Sequence, residues 1–549
     1  MKKFFLYFSL FIVLISASIY LYLKYRKLDD FEPQLKAKLR EIVSKGTHGL
    51  YLLEIAKINA DIVNSRLTLT GIRLHYDTTV YKQLLHRKNA PVDVFVVHLN
   101  SLALDGITPD DIIKKRDIRL NIIYADHPQV SIFHHPEAMT HAKKDTSGIY
   151  QAIKSQIGSF FLKKLELRNM NFVYYNAKSK AQTSFKDLHM TLDDLEISSR
   201  TEFDRSRFLY SKRSRISLNS FTHKTSDSIY NFRLKGILID APLNTVSIQN
   251  LRLQPRVGKT AFRKVMKIRK DRYDLEARGV VLQNIDWWSF ITQEGIFIHK
   301  ASIARGWVDV YSDKAIPAGT RKKLGTFPHQ QLFKVKTPLF INKILFLNMD
   351  IRYSEFSVKT EKEGHIIFGN THATVSNVTN IADSIRKNGE LSIDARSQFM
   401  NHAALNAGFR FNLRRYREGI FSVYARMNSL DGRTLNDATI PLGSVKIEKA
   451  SVRNLRINLS GDNYRARGNI FLTYNDLKIT VLKPDEEGKM KKRGIASFVA
   501  NNFKINRNYP EKGHTAQPFS SSYQRPLNKS FFSLIWRTIF GGVKQSVGI

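Results

Sequence analysis

The sequence contains no cysteine, and only 48 acidic residues stand against 87 Lys and Arg, so the formal net charge is +39. The absence of cysteine excludes disulfide bonds, cysteine-ligated zinc, iron–sulfur clusters and thiol chemistry. The shortage of acidic groups predicts a polyanionic partner: nucleic acid, anionic lipid headgroups or an acidic glycan. With 549 residues and 42% hydrophobic residues, the chain is long and apolar enough to form more than one folded unit with a buried core.

Residues 4–23 form an uncharged, apolar run with basic residues on both sides. A helix of about twenty residues is about 30 Å long, which matches the hydrocarbon core of a bilayer. A cleaved signal peptide is the alternative, since Ser16, Ala17 and Ser18 are small, but the apolar part of a signal peptide usually has only about 7–15 residues. The run therefore favours an uncleaved membrane anchor within residues 1–27.

Basic residues flank this anchor on both sides, and their count slightly favours the orientation that keeps the rest of the chain in the cytoplasm. We expect the rest of the chain to be exported, because a long body crosses a membrane largely regardless of local charge. Export argues against nucleic acid as the polyanionic partner and favours lipid headgroups or glycans.

Short runs of alternating apolar and polar residues dominate the sequence from about residue 48, for example residues 67–74 and 308–311. This period of two predicts strands with one apolar face. Helical patterns are few, and they fall at residues 31–45, 79–87 and 261–270 and in the C-terminal tail. Because parallel α/β folds need helices between their strands, the sequence predicts a mainly β protein with an antiparallel sheet.

The strand-rich body contains an internal repeat. Residues 164–172, KLELRNMNF, match residues 343–351, KILFLNMDI, and shorter matches precede them in the same order. A repeated β unit predicts an elongated sheet that curls into a groove or a sandwich, because each unit covers the edge of the next. The predicted organisation is an anchor in 1–27, a juxtamembrane helix in 28–47, β units in 48–250, 251–442 and, in part, 443–483, a basic linker in 484–529 and an amphipathic helix in 530–549.

The predicted C-terminal helix has an apolar stripe with basic residues on its flank. This composition is typical of a helix that lies in a membrane interface. A helix that caps the end of the β body is the alternative explanation of the same stripe. The linker before the helix favours contact with a distal membrane, and the residues expected to make that contact are Phe532, Ile535, Trp536, Ile539 and Phe540.

The anchor, the helix after it and the strand pattern of residues 58–74 followed by residues 102–107 resemble the AsmA-like proteins of Gram-negative envelopes. Residues 468–479 resemble the late strand segment of that family. The resemblance implies a single-pass inner-membrane protein with its body in the periplasm. It also implies an apolar groove that carries lipids, here expected to be phospholipids, between membranes and supports outer-membrane biogenesis. The implied partners are membrane lipids and outer-membrane or assembly-machinery components, without nucleic acid, and no catalytic residues are implied.

Two sets of residues follow from the groove hypothesis. Lipid chains are expected against apolar strand positions, and headgroups against basic runs that recur at corresponding places in the two β units. The groove candidates are Leu167, Phe172, Val310, Leu347 and Ile351, and the basic rim candidates are Arg87, Lys88, Lys267, Arg269 and Lys270. A closed β scaffold or assembly factor for outer-membrane proteins, which binds no lipid, is the alternative function.

No motif predicts catalysis, a cofactor or a metal site. Residues 258–260, Gly-Lys-Thr, do not complete a phosphate-binding loop, because Leu253 stands where that loop needs glycine. The 4 histidines from His127 to His141 lack the spacing of a standard metal site. We therefore expect a protein that is not an enzyme and uses no cofactor, with an enzyme acting on envelope glycans as a third hypothesis.

Overall fold

A computed structural model describes residues 31–61, 64–106, 117–136, 138, 150–151, 159–178, 182–225, 227, 229–292, 294–484, 490–492 and 505–548. The predicted membrane anchor, residues 4–23, lies outside this part of the chain. Within it, no helix combines the length and the apolar character needed to cross a bilayer. Most of the described residues are in β-strands, so the prediction of a mainly β protein is confirmed.

The chain forms two compact units, Met1–Gln249 and Asn250–Ile549, which we call unit 1 and unit 2. The sequence had suggested that the first β unit ends at residue 250. In unit 1 the described helices are α1 (Phe31–Gly46) and α2 (Thr78–His86), and the strands are β1 (Tyr51–Asp61), β2 (Arg66–Tyr76), β3 (Asp93–Asp105), β4 (Asp117–Asp126), β5 (Gln129–His134), β6 (Ser159–Asn176), β7 (Gln182–Ile197), β8 (Ser211–Lys224) and β9 (Tyr230–Asp240).

Strand β10 (Thr245–Pro255) runs across the division between the units. The described helices of unit 2 are α3 (Lys259–Val265), α4 (Trp287–Ile291), α5 (Pro328–Leu332), α6 (Ala382–Lys387), α7 (Asn436–Gly443) and α8 (Phe531–Val547), with 3₁₀ turns at Tyr416–Glu418 and Gly432–Leu435. Its strands are β11 (Arg272–Ile285), β12 (Ile296–Asp313), β13 (Leu339–Phe356), β14 (Glu363–Thr379), β15 (Glu390–Phe399), β16 (Ala403–Asn412), β17 (Phe421–Met427), β18 (Leu430–Asp431), β19 (Val445–Gly461), β20 (Arg465–Pro484), β21 (Met490–Lys492) and β22 (Phe519–Gln524).

The predicted antiparallel sheet is corrected to a mixed one. Most neighbouring strands are antiparallel, but β4 and β5 both pair in parallel with β6, and β12 pairs in parallel with β13. A parallel pair requires a crossover connection of a dozen or more residues. Residues 314–338 supply that connection in unit 2 with an irregular loop and only the short helix α5, so the parallel pair leaves no prominent helical pattern in the sequence.

The matching segments found in the sequence occupy matching places in the two units. In unit 1, β6 pairs in parallel with β4 and β5 on one side and antiparallel with β7 on the other. A bulge interrupts the pair with β7 on both sides of Met170. In unit 2, β13 pairs with β14 and is interrupted in the same way on both sides of Met349. A bulge that recurs at the same methionine of the repeated motif is a built feature of the unit rather than a local irregularity.

The same side-chain contact holds both bulges. In unit 1 the backbone N–H of Asp187 donates to Oδ1 of Asn171, at 3.2 Å. In unit 2 the backbone N–H of Asn370 donates to Oδ1 of Asp350, at 2.9 Å. Asp187 and Asn370 both have positive φ, a conformation that Asn and Asp tolerate better than most residues.

Helix α1 packs on the first strand of unit 1. Leu35 and Leu39 are buried on its inner side. The backbone N–H of Ile58 in β1 donates to Oε1 of Glu32 at 2.9 Å, and Nζ of Lys36 donates to the carbonyl of Ala56 at 2.6 Å. The helix expected at residues 31–45 is thus present and fixed to the sheet, and the helix expected at 79–87 is present as Thr78–His86.

Helix α8 closes the core of unit 2, which corrects the prediction that a linker lets this helix leave the body. Part of the predicted linker forms β22, which pairs with β20, and α8 packs on both strands. Phe531, Leu534 and Ile535 of the helix are buried in one cluster with Val423, Leu459 and Ile470 of the sheet. Ser530 caps the helix and Gly548, with φ of 82°, ends it. The alternative offered by the sequence, a helix that covers the end of the β body, therefore describes the buried side of α8.

Candidate functional site

Strands β11 to β14 of unit 2 present an apolar face that is only partly covered. Backbone register aligns Leu275, Val308, Ile351 and Phe368 in one row across the four strands. The adjacent row on the same face consists of Tyr273, Val310, Tyr353 and Ile366. All eight side chains keep some exposure, and Tyr273 and Tyr353 are 43% and 37% exposed. A continuous apolar surface open to solvent is a binding surface in most proteins.

The corresponding face of unit 1 is closed. Val97, Val130 and Phe172 form the equivalent row across β3, β5 and β6, and all three are buried. The ring of Phe172 stacks on Phe185 of β7 with 4.6 Å between the ring centroids. The same motif therefore makes a packed core in unit 1 and an accessible surface in unit 2.

The opposite face of β11 to β13 is polar, and α3 packs over the end of it that contains Tyr311 and Asp313. Asp313 is fully buried and accepts hydrogen bonds from Nε of Arg263 at 2.7 Å and from the hydroxyl of Tyr311 at 3.1 Å. Burial, together with the Asp313 carboxylate, raises the pKa of Tyr311 to about 12, so this phenol stays protonated as a donor. Nζ of Lys259 in α3 lies 2.7 Å from Oε1 of Glu363. These ion pairs hold α3 on the polar face of the sheet, so α3 does not cover the apolar rows on the opposite face.

The structure separates the five groove candidates into three groups. Leu167 and Phe172 belong to the closed core of unit 1, so they do not line an accessible surface. Val310 and Ile351 lie in adjacent rows of the open face of unit 2. Leu347 is exposed in the bulge between Phe346 and Met349.

The basic rim candidates also divide. Arg87 and Lys88 are exposed at the end of α2, and Lys267 and Lys270 are exposed in the loop that leads from α3 into β11. Arg269 has a structural role instead, because its guanidinium donates to the carbonyls of Ile316 at 3.0 Å and Lys314 at 2.8 Å. Lys270 comes three residues before Tyr273 in the chain, just before the start of β11.

Helix α8 has two apolar faces, and the five residues predicted from the sequence to contact a membrane come from both of them. Ile535 is buried against the sheet, and Ile539 is partly covered by the same cluster. Phe532, Trp536 and Phe540 point away from it and are 66%, 52% and 42% exposed. Residues spaced by four lie on one side of a helix, so these three rings form a single exposed aromatic stripe.

Tyr273 and Tyr353 were not among the predicted site residues, although they are the most exposed members of the open face. Alternation alone assigns both to a strand, but it does not say which strand lies beside which. The signal that could have found them is their position, since Tyr353 follows Ile351 by two residues and so shares its face.

Other candidate chemistry in the sequence resolves into structural contacts. Nδ1 of His134 lies 2.7 Å from Asp93, and Nδ1 of His127 lies 2.8 Å from Asp126, while His141 lies outside the described residues. Across the described residues, no three His, Asp or Glu side chains come close enough together to hold a metal ion.

Comparison with known proteins adds no family to these observations. No protein-family model matches the chain, and the search of curated proteins finds no match.

Proposed function

We propose that this protein is a non-enzymatic, AsmA-like envelope protein that binds lipids on the apolar face of unit 2 and conducts them between membranes in support of outer-membrane biogenesis. In this proposal residues 4–23 anchor the chain in the inner membrane and the β units lie in the periplasm. The observation that supports it best is the open apolar face of β11 to β14. Its two rows form a surface four strands wide, or about 14 Å at about 4.8 Å between strands, which covers most of the length of an acyl chain.

In this proposal the lipid is a phospholipid whose anionic headgroup meets exposed lysines, while the carboxylate of Glu355 beside Tyr353 is paired with Nζ of Lys314 at 2.8 Å. Lys267 and Lys270 are exposed in the loop before β11 and can meet an anionic headgroup, while acyl chains contact Leu275, Val308 and Ile351. Burial of apolar area against the rows provides the driving force at about 25 cal/mol per Å². Movement along the face then needs no chemical step, because neighbouring positions have similar affinity.

Photocrosslinking tests this proposal. We expect a benzophenone amino acid in place of Tyr353 or Tyr273 to form adducts with phospholipid in cells, because both rings lie on the open face. The matched control is the same amino acid in place of Arg352, which is exposed on the opposite face of the same strand. Lipid extraction and mass spectrometry of the adducts provide the measurement.

Equal lipid yield at positions 352 and 353 would contradict binding on this face. No lipid adduct at 273, 310 or 353 would instead favour the closed scaffold, the alternative function. The same amino acid in place of Leu167 is expected to give no adduct, because Leu167 and its strand neighbours Ala125 and Met190 are buried in the core of unit 1.

The aromatic stripe of α8 forms the second part of the proposal, a contact with a distal membrane. From Lys512 to Gly548 the chain contains Lys and Arg but no Asp or Glu. Phe and Trp beside basic residues are the composition of a helix in an anionic membrane interface. Nζ of Lys544 lies 5.3 Å from the ring of Phe540, so charge and aromatic surface are adjacent. The buried side of α8 holds the helix on the sheet while the stripe faces outwards.

Because the chain has no cysteine, one introduced thiol can be labelled without competition. We expect the fluorescence emission of an environment-sensitive dye on Trp536→Cys to shift to the blue when phosphatidylglycerol vesicles are added, but not when phosphatidylcholine vesicles are added. A second variant, Phe532→Ala without a dye, should bind phosphatidylglycerol vesicles about tenfold more weakly, since a buried Phe is worth about 1.5–3 kcal/mol. Tyr464→Cys, exposed in a turn of the same unit, is the control position. A shift of equal size at 464, or none at 536, would rule out the contact.

A further inference from the structure

The last strands of unit 2 carry a second, chemically different surface. A shallow pocket of about 660 Å³ lies over β17, β19, β20 and β22. The side chains that face it alternate with Val423, Leu459 and Ser521, which belong to the side of the sheet covered by α8. The pocket is therefore on the exposed face of these strands and is separate from the open apolar face of β11 to β14.

Two rows of polar side chains cross the pocket in register. One row is Ser422, Ser460, Arg467 and Ser522, each paired with the next on the neighbouring strand. The other is Tyr424, Asn458, Asn469 and Ser520. At about 4.8 Å between strands, each row is about 14 Å long. Hydroxyl and amide groups both donate and accept hydrogen bonds, so the rows form a line of groups that can pair with hydroxyls.

Tyr424 gives the pocket a fixed aromatic surface. Its ring lies across Gly408 of β16, where an added Cβ would come within 2.3 Å of a ring carbon. Its hydroxyl donates to Oδ1 of Asp394, which also accepts from Nη2 of Arg410 at 2.7 Å. The ring is held on one side by these contacts and remains exposed on the other.

The surface around the pocket is basic. No acidic side chain lines the pocket, and Arg467 lies within it. In the next row of the sheet, Arg426 pairs in register with Arg456, and both are exposed. With the described residues, none of these three arginines makes an ion pair. The guanidinium of Arg456 lies over the ring of Phe471, 5.0 Å from its centroid. Arginine binds carboxylate and phosphate groups through paired hydrogen bonds, so the three residues form a basic surface beside the pocket.

We propose that this pocket binds an acidic saccharide, a chain of sugar rings that carries carboxylate or phosphate groups. The exposed face of Tyr424 packs against the C–H face of one ring, the Ser and Asn rows pair with ring hydroxyls, and Arg467 binds the acidic group. Arg426 and Arg456 extend the site to further acidic groups of the same chain. Apart from the ring of Tyr424, the side chains of the two rows are polar, so this inference goes beyond lipid binding and does not depend on it.

Calorimetric titration of the full-length protein in detergent tests the inference. The probes are an oligomer of galacturonic acid with about six rings, neutral maltohexaose and inorganic polyphosphate. We expect binding of the acidic saccharide, with a loss of about tenfold or more for Arg467→Gln and about fivefold for Tyr424→Ala, in line with about 1.5–3 kcal/mol for a charge-assisted bond and about 1 kcal/mol for an aromatic contact. Arg305→Gln and Tyr464→Ala, at exposed positions outside the pocket, should bind like the native chain. Circular dichroism of each variant checks its fold.

Three results would overturn the inference. One is the absence of binding by the galacturonic acid oligomer. Another is equal binding of maltohexaose with no effect of Arg467→Gln, which would describe a site for neutral sugars. The third is binding of polyphosphate as tight as that of the saccharide with no effect of Tyr424→Ala, which would describe a general polyanion surface.

Discussion

Phe531→Ala is expected to lower the free energy of unfolding of unit 2 by about 3–5 kcal/mol, the usual cost of removing a buried aromatic ring. Phe531 is 4% exposed, and its ring centroid lies 4.8 Å from that of Phe327, 4.9 Å from Phe421 and 5.6 Å from Phe411. These rings come from α5, β16 and β17 or the turns before them, so the substitution loosens α8 from the sheet at several points.

The next residue is a matched control for this prediction. Phe532 is 66% exposed on the aromatic stripe, and Phe532→Ala should change the free energy of unfolding by no more than about 0.5 kcal/mol. Urea unfolding followed by tryptophan fluorescence is the measurement, because the 4 tryptophans, Trp287, Trp288, Trp307 and Trp536, all lie in unit 2. Equal effects of the two substitutions would mean that α8 does not dock on the sheet.

Acidification from pH 7.5 to pH 4 is expected to destabilise unit 2 by about 3 kcal/mol through one residue, His329. This histidine is fully buried in α5, and its ring stacks on Phe411 with 4.9 Å between the centroids. Burial lowers its pKa from 6.5 to about 4. As the pH falls below 6.5, the unfolded chain binds a proton that the folded chain does not, so the stability present at neutral pH is progressively lost until the pH reaches about 4.

Two substitutions isolate this effect from other titrating groups. His329→Leu and His329→Phe both remove the ionisable ring but differ in volume, so their stabilities at pH 7.5 should differ from each other. Relative to the native chain, however, each should gain about 3 kcal/mol between pH 7.5 and pH 4, with the same pH dependence. Urea unfolding at half-unit pH intervals gives the curves. A stability difference that does not change with pH would show that His329 is not buried as a neutral ring.

The exposed and buried sides of α8 show how far sequence reasoning extends. The apolar spacing of Phe532, Ile535, Trp536, Ile539 and Phe540 predicts a helix, and that helix is present as Phe531–Val547. The spacing cannot separate the side that meets the sheet from the side that remains exposed, because both carry aromatic or aliphatic residues. Only the position of β22 beside β20 assigns Ile535 to the core and Trp536 to the surface.

The groove candidates illustrate the same limit within the β units. The repeat correctly relates Phe172 to Ile351, and the bulges at Met170 and Met349 show how closely the two motifs correspond. Yet Phe172 is buried and Ile351 is partly exposed, because the side chains that cover a strand come from elements distant in sequence. The polar pocket over β17, β19, β20 and β22 was missed for a related reason, since its two polar rows exist only once four strands are aligned in register.

The sequence by itself determined the absence of cysteine chemistry, the excess of 87 Lys and Arg over 48 acidic residues, the β character of the body and its internal repeat. These are properties of composition and of local periodicity, which a single chain segment carries without its neighbours. The tertiary structure alone decided the parallel pairs, the closed face of unit 1, the open face of unit 2 and the docking of α8. Each depends on which strands pair and in what register. The alternation of apolar and polar residues cannot specify this, because a shift of the register by two residues leaves every side chain on the same face.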